Sequence, residues 1–193
     1  MNIGSPILNK EITLDRPICN MLGVLTFVLL TVFGAFIRIP LPFTPVPITA
    51  QTLFVLFSGL CLGARLGLLS QLTYVFLGVV GLPVFSGGAT GILHLLGPTG
   101  GYLFGFCLGA FVTGWLVKFN RDSFLWVLFS VLLGCVTLYV AGVLHLVILF
   151  GIGIKKAIYL GVFPFVILEI LKILLASAVY IKLKARTNRI FCV

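Results

Sequence analysis

Long apolar runs separated by single charges set the pattern of this chain. Between Arg16 and Arg38 lie 21 uncharged residues, between Arg38 and Arg65 lie 26, between Arg65 and Lys118 lie 52, and between Asp122 and Lys155 lie 32. A helix of about 20 apolar residues crosses the hydrocarbon core of a bilayer, so the 52-residue run holds two crossings. A last apolar stretch, about Phe163 to Leu183, carries Glu169 and Lys172 well inside it. The pattern predicts an all-α integral membrane protein of six transmembrane helices. They fall at about Asn20–Ile37, Ile48–Ala64, Leu66–Val80, Thr99–Val117, Phe124–Ala141 or beyond, and from Pro164 to Leu183.

The joints between these runs differ in kind. Gly63-Ala64-Arg65-Leu66-Gly67 is short enough for a tight turn. Arg38 to Gln51 contains Pro40, Pro42, Pro45 and Pro47, four of the chain's nine prolines. Each fixes φ, lacks an N–H and pushes the residue before it towards extended geometry, so no helix runs through this segment. It reads as a stiff connector with Arg38 at its mouth and Thr49, Gln51 and Thr52 at its exit. Gly81 to Pro98 is a second connection on that side, rich in glycine around Ser86 and Thr90, and Ile154–Gly161 is a third. Gly101, Gly105 and Gly109 share a helix face and allow a close crossing within the chain.

Composition agrees with this reading. Hydrophobic residues make up 61% of the chain and charged residues 9%, against about a quarter charged in a soluble domain. The net charge of +9 reports topology rather than nucleic acid. With the N-terminus inside, Lys10, Arg16, Arg65, Lys118, Arg121, Lys182, Lys184, Arg186 and Arg189 lie inside, against Arg38, Lys155 and Lys156 outside. That bias follows the positive-inside rule, with both termini cytoplasmic and a multi-pass plasma-membrane location. The expected organisation is one membrane domain over 1–193: a cytoplasmic segment 1–19, a six-helix bundle 20–183 and a basic tail 184–193 that can meet anionic lipid. The first run is too long for a signal-peptide core and ends in Arg-Ile-Pro. Five cysteines form no CxxC, and His94 and His145 stand apart from them, so no metal or redox cofactor is expected.

Chemistry concentrates on the outer side. Glu169 and Lys172 are spaced i, i+3 on the last helix, about two turns in, where ionisable groups face the protein interior and mark function. Gln51, Thr49 and Thr52 open the second helix. Thr99, Gly100, Gly101 and Tyr102 open the fourth, where free backbone N–H groups favour an anion. Arg38 is the outer-side cation that the helices can fix, and Tyr74 is a candidate within the third helix. Together these groups describe a shallow pocket for a small polar solute. The P-loop, HExxH and GxSxG patterns are absent, so the chain reads as a capture subunit rather than a pump or hydrolase.

The segment Arg38-Ile39-Pro40-Leu41-Pro42-Phe43-Thr44-Pro45-Val46-Pro47-Ile48-Thr49 closely resembles the first outer loop of the BioY family, the biotin-specific S components of energy-coupling-factor (ECF) transporters. Gly81-Leu82-Pro83-Val84-Phe85 and Leu96-Gly97-Pro98-Thr99-Gly100-Gly101-Tyr102 resemble that family's next two signatures. The resemblance covers essentially the whole chain. It implies a six-helix S-component fold and high-affinity biotin binding at the outer face. Uptake would then use a scaffold (T) subunit and two cytoplasmic ATPases, which alone would handle ATP. The family's last helix reads Pro-Phe-x-x-Gly-Asp-x-x-Lys; here Leu168 and Glu169 stand for Gly and Asp. On this resemblance Glu169 and Lys172 hold one end of the ligand, and Gln51 and Thr52 read its ureido edge. Tyr102 and the Gly97–Gly101 turn close over the rings, and Arg38 steers the carboxylate. The Ala-x-x-x-Ala docking face of such proteins is missing from the first helix, where Gly23, Thr31 and Ala35 offer small residues instead. An S component for another vitamin, and a small intramembrane enzyme with Glu169 as base, are the alternatives.

Overall fold

Gly63 decides how the second and third crossings pair. Its φ of 75° with ψ of −178° breaks α2 (Gln51–Val80) into two arms, residues 51–62 and 64–80. Glycine alone takes that conformation without strain. The arms fold back on each other: a Cβ on Gly67 would lie 3.0 Å from the Gly59 Cα, and Gln71 Nε2 donates to Ser58 Oγ at 3.3 Å. The expected tight turn is therefore present, and α2 supplies two crossings.

The computed structural model describes residues 16–190, with side chains through Lys184. Lys10, Arg186, Arg189, Cys192 and most of the segment 1–19 lie outside these limits. The remaining crossings are α1 (Arg16–Phe36), α4 (Gly100–Val117), α5 (Phe124–Phe150) and α7 (Val166–Ile190). With the α2 arms they make the six helices of a multi-pass membrane protein. α1 begins four residues before its expected start, and α7 runs on into the basic tail as far as Ile190.

Two connections have more structure than the sequence suggests. Arg38–Ile39 (β1) pairs antiparallel with Ile48–Thr49 (β2), with Arg38 opposite Thr49. The second helix consequently starts at Gln51, not Ile48, because the chain first closes this ribbon. Ile154–Gly161 is a helix, α6, with Ala157 and Gly161 buried and Lys155, Lys156, Ile158 and Tyr159 exposed. That amphipathic pattern suits a helix lying in the membrane interface. A 3-10 turn at Phe163–Phe165 takes Pro164 and leads into α7. A short helix, α3 (Ile92–Leu96), lies within the 81–98 connection.

Small residues let the helices cross closely. Cβ atoms added to Gly105 and Gly109 would meet backbone of Leu138 and Gly134 in α5, at 2.6 and 2.9 Å. The glycine face of α4 thus packs within the chain. On its other side Gly59 and Gly114 bring α2 against α4. Gln71, fully buried, ties the two arms of α2 to each other and to α1 with amide contacts to Ser58 and to Thr31, the latter at 3.4 Å. A lone polar side chain in lipid seeks such partners.

The face of α1 differs from expectation. Gly23, Thr31 and Ala35 are all buried against the bundle. A buried stripe cannot receive another protein, so these three are packing residues rather than a docking face. The surface α1 turns outward is instead bulky, with Leu22, Leu25, Leu29, Phe33 and Phe36 exposed.

Candidate functional site

Where α7 passes the start of α2, one ammonium joins three elements. Lys172 Nζ donates to Glu169 Oε1 at 2.6 Å, to Thr52 Oγ1 at 2.9 Å and to the Thr49 carbonyl at 2.6 Å. An ammonium has three donors, and all three are used. Thr52 Oγ1 also donates to Glu169 Oε1 at 2.8 Å. The side chains of Glu169 and Lys172 are only 7% and 14% exposed. The burden of satisfying Lys172 falls on Oε1, while Oε2 has the Cys135 thiol at 3.8 Å and the Tyr139 hydroxyl stands close to the same carboxylate.

Glu169 opens on a small cavity of about 50 Å³ that is also lined by Gln51, Thr49, Thr52, Thr99 and Tyr102. These are six of the expected site residues. Lys172 lies behind this wall and holds it rather than lining it. Tyr74 also stands behind: fully buried, its hydroxyl accepts from Gln51 Nε2 at 2.6 Å and donates to the Val84 carbonyl at 3.1 Å. Because the phenol's one proton goes to Val84, Gln51 must offer its NH₂ to the Tyr74 hydroxyl oxygen. The Gln51 amide oxygen is thereby left for the cavity.

Other expected members have different roles. Arg38 is exposed, and its guanidinium lies over Gly87, filling the space a Cβ would take there. It does not line the cavity. The Gly100 N–H is not free, since it donates to the Gly97 carbonyl at 3.0 Å. Gly100 and Gly101 instead admit close neighbours, Leu95 and the His145 side chain. His145 in turn contacts the Gly97 carbonyl at 3.0 Å and so braces the 97–101 turn.

The sequence reading passed over several lining residues. Ser86, Tyr139, Phe165, Phe106, Leu103, Val46 and Pro47 complete the cavity. Ser86 Oγ is buried without a hydrogen-bond partner, which is unusual enough to mark a group awaiting one. Ser86 sat among loop glycines, and the aromatic residues look like ordinary apolar positions in a membrane helix. Only the Gly87-Gly88 pair that follows Ser86 hinted at a role.

The roof is stitched down. Thr44 Oγ1 of the Pro-rich segment donates to the Leu160 carbonyl, and Tyr102 donates its O–H to the Gly161 carbonyl, both at 2.8 Å. Two separate parts of the site therefore hang on the end of α6. On the other side Phe85 is fully buried against Gly78 and Tyr74. His94 stacks on Phe85 with centroids 5.0 Å apart and meets Thr99 Oγ1 at 3.1 Å. Burial holds the His94 imidazole below its ordinary pKa. The folded protein thus binds this proton less readily than the unfolded chain, so stability falls as pH drops from about 6.5 downward. Acidification from pH 7.5 to 5.5 is expected to loosen the 81–98 roof and speed ligand release, and His94→Gln to flatten that dependence. A wild-type release rate that stays flat over this range would disconnect His94 from the roof.

The matches to known proteins agree with the geometry. The model of the BioY family matches residues 9–189. The chain belongs to the BioY family. A BioY protein of Thermotoga maritima named a biotin transporter is 46% identical over 82% of this chain and 91% of its own length. A probable biotin transporter BioY of Pyrococcus horikoshii is 39% identical over 85% of this chain and 95% of its own. A crystal structure described as the S component for biotin from an ECF-type ABC transporter superposes with a TM-score of 0.82. It covers 88% of this chain and 93% of its own at 24% identity, and so shows a shared fold. The Pro-rich segment and the 96–102 turn both contribute to the cavity wall, through Val46 and Pro47 and through Thr99 and Tyr102.

Proposed function

We propose that this chain is the biotin-binding membrane subunit of an ECF-type uptake system. The observation that carries the reading is the arrangement of polar atoms in the cavity. A ureido ring has two N–H donors and one carbonyl acceptor. Glu169 Oε2 and the Gln51 amide oxygen are acceptors with capacity to spare, and the Ser86 hydroxyl is a donor without a partner. Tyr102, Phe106, Tyr139 and Phe165 offer the apolar walls that a fused ring with a thioether needs. The names of the BioY relatives, biotin transporters, support the same ligand and argue against an enzyme.

The cavity of about 50 Å³ is far below the ~300 Å³ or more typical of ligand sites. Binding therefore requires the roof to move, and the Thr44–Leu160 link is the one to release, because it joins the Pro-rich segment to α6 from outside the cavity. The excess of cations at the Gly63 end of the bundle supports a topology with the cavity facing outward. The S-component fold implies a scaffold subunit and two ATPases as partners, the source of energy that this chain lacks.

Titration of the detergent-purified protein with biotin, against thiamine, riboflavin and desthiobiotin, tests the reading. The expected result is tight binding of biotin, competition by desthiobiotin, which keeps the ureido ring, and none by the other vitamins. Failure of biotin to bind, or preference for thiamine or riboflavin, would overturn it. Ser86→Ala is expected to weaken biotin about three- to tenfold, the value of one hydrogen bond of roughly 1 kcal/mol. Unchanged affinity by calorimetry would remove Ser86 from the ligand's contacts.

A further inference from the structure

The far end of the bundle, away from the cavity, carries a second site. The Gly63 turn meets the end of α4 there, with Gly114 close against Gly63 and Ala64. A cavity of about 420 Å³ opens beside this crossing, and Arg65, Lys118 and Arg121 all line it. No acidic side chain does. Among the described residues the two carboxylates are committed elsewhere, Glu169 to Lys172 and Asp122 to Lys184. Asp122 is the neighbour of Arg121, yet its charge is taken up by α7. Three cations thus share one cavity with no counter-charge, an arrangement that repels itself until an anion enters.

The other wall tells which anion. Phe111 and Trp115 line the same cavity and are exposed on the outer surface of α4. The Lys118 ammonium rests 5.3 Å from the Trp115 ring centre and 5.0 Å from that of Phe119. Tryptophan with cations around it is the signature of the membrane–water interface. The cavity is cationic where the helices end and aromatic where they face lipid. A free phosphate would use the first half alone, whereas a glycerophospholipid uses both. Topology requires cations in the loops at this end, but not that they converge on one cavity.

We propose that this cavity is a binding site for an anionic phospholipid. Its phosphate is held by Arg65, Lys118 and Arg121, and its acyl chains run along Phe111 and Trp115. Such pockets between helix ends suit lipid head groups.

The full chain carries two tryptophans, Trp115 and Trp126, so a Trp126→Phe variant reports on the cavity alone. Trp126 does not line the cavity. In nanodiscs of phosphatidylcholine doped with a few per cent of brominated lipid, brominated phosphatidylglycerol is expected to quench Trp115 at least threefold more than brominated phosphatidylcholine. Equal quenching would overturn the proposal. Native mass spectrometry gives the second arm. R65Q/K118Q/R121Q should weaken phosphatidylglycerol retention at least tenfold, while K155Q/K156Q, on α6 at the opposite end of the bundle, should keep it. Retention by the triple variant would overturn the site. Displacement of the lipid by millimolar inorganic phosphate would reassign it to a soluble anion.

Discussion

Lys172→Ala is expected to weaken biotin binding by more than tenfold and to lower the melting temperature of the detergent-solubilised protein. The ammonium neutralises Glu169 and at the same time fixes the Thr49 carbonyl and the Thr52 hydroxyl. Removing it leaves a carboxylate that is 7% exposed without its charge partner, a change that typically costs about 3–5 kcal/mol. It also frees the ribbon from α7, so the wall that carries Thr49, Gln51 and Thr52 loses its position. The double variant Glu169→Gln/Lys172→Met separates the two effects. With both charges gone the fold should recover most of its melting temperature, while affinity stays low because the charged acceptor for the ligand's N–H has become a weaker neutral one. Affinity unchanged in the single variant, measured by calorimetry, would remove the pair from the site.

The second large effect lies in the helix crossings. Gly59→Val is expected to abolish folding or to reduce the yield of monodisperse protein severalfold. A Cβ at this position would run into the Ala110 carbonyl and sit 3.0 Å from the Thr113 side chain. The obstacle is α4 backbone, which cannot turn aside as a side chain can. Overpacking of this kind costs about 1–3 kcal/mol when side chains can adjust and more when backbone must shift. The control is Gly153→Ala, since a Cβ there meets nothing within 4 Å and φ is −62°. Size-exclusion profiles of the two variants decide it; matching profiles would show that the α2–α4 crossing has more room than the structure gives it.

Much of this architecture was legible because membrane spans announce themselves. Uncharged runs gave the six crossings, and Gly63 to Gly67 gave the hairpin. The glycine spacing on α4 pointed to a close crossing, which the structure places against α5. The site was legible where polar residues stand out in apolar surroundings: Gln51, Thr52 and Glu169 had few other reasons to be there. Legibility failed where residue type is ambiguous. Tyr139 and Phe165 line the cavity but resemble any core aromatic. The β1–β2 ribbon is two residues per strand, too short for a periodic signal. The small residues of α1 fit a docking stripe and a packing stripe equally, because both need close approach; burial distinguishes them and sequence does not. Gly100 was expected to present a free N–H, and the preceding turn claims it.

The shortness of the first α2 arm has a consequence for transport distance. Twelve residues, 51–62, reach about 18 Å as a helix, whereas the hydrocarbon core is about 30 Å thick. In a slab of that thickness drawn from the Gly63 turn, Gln51 would lie about 12 Å inside the opposite face. A solute seated on it would lie something like two-fifths of the way into such a slab through capture alone.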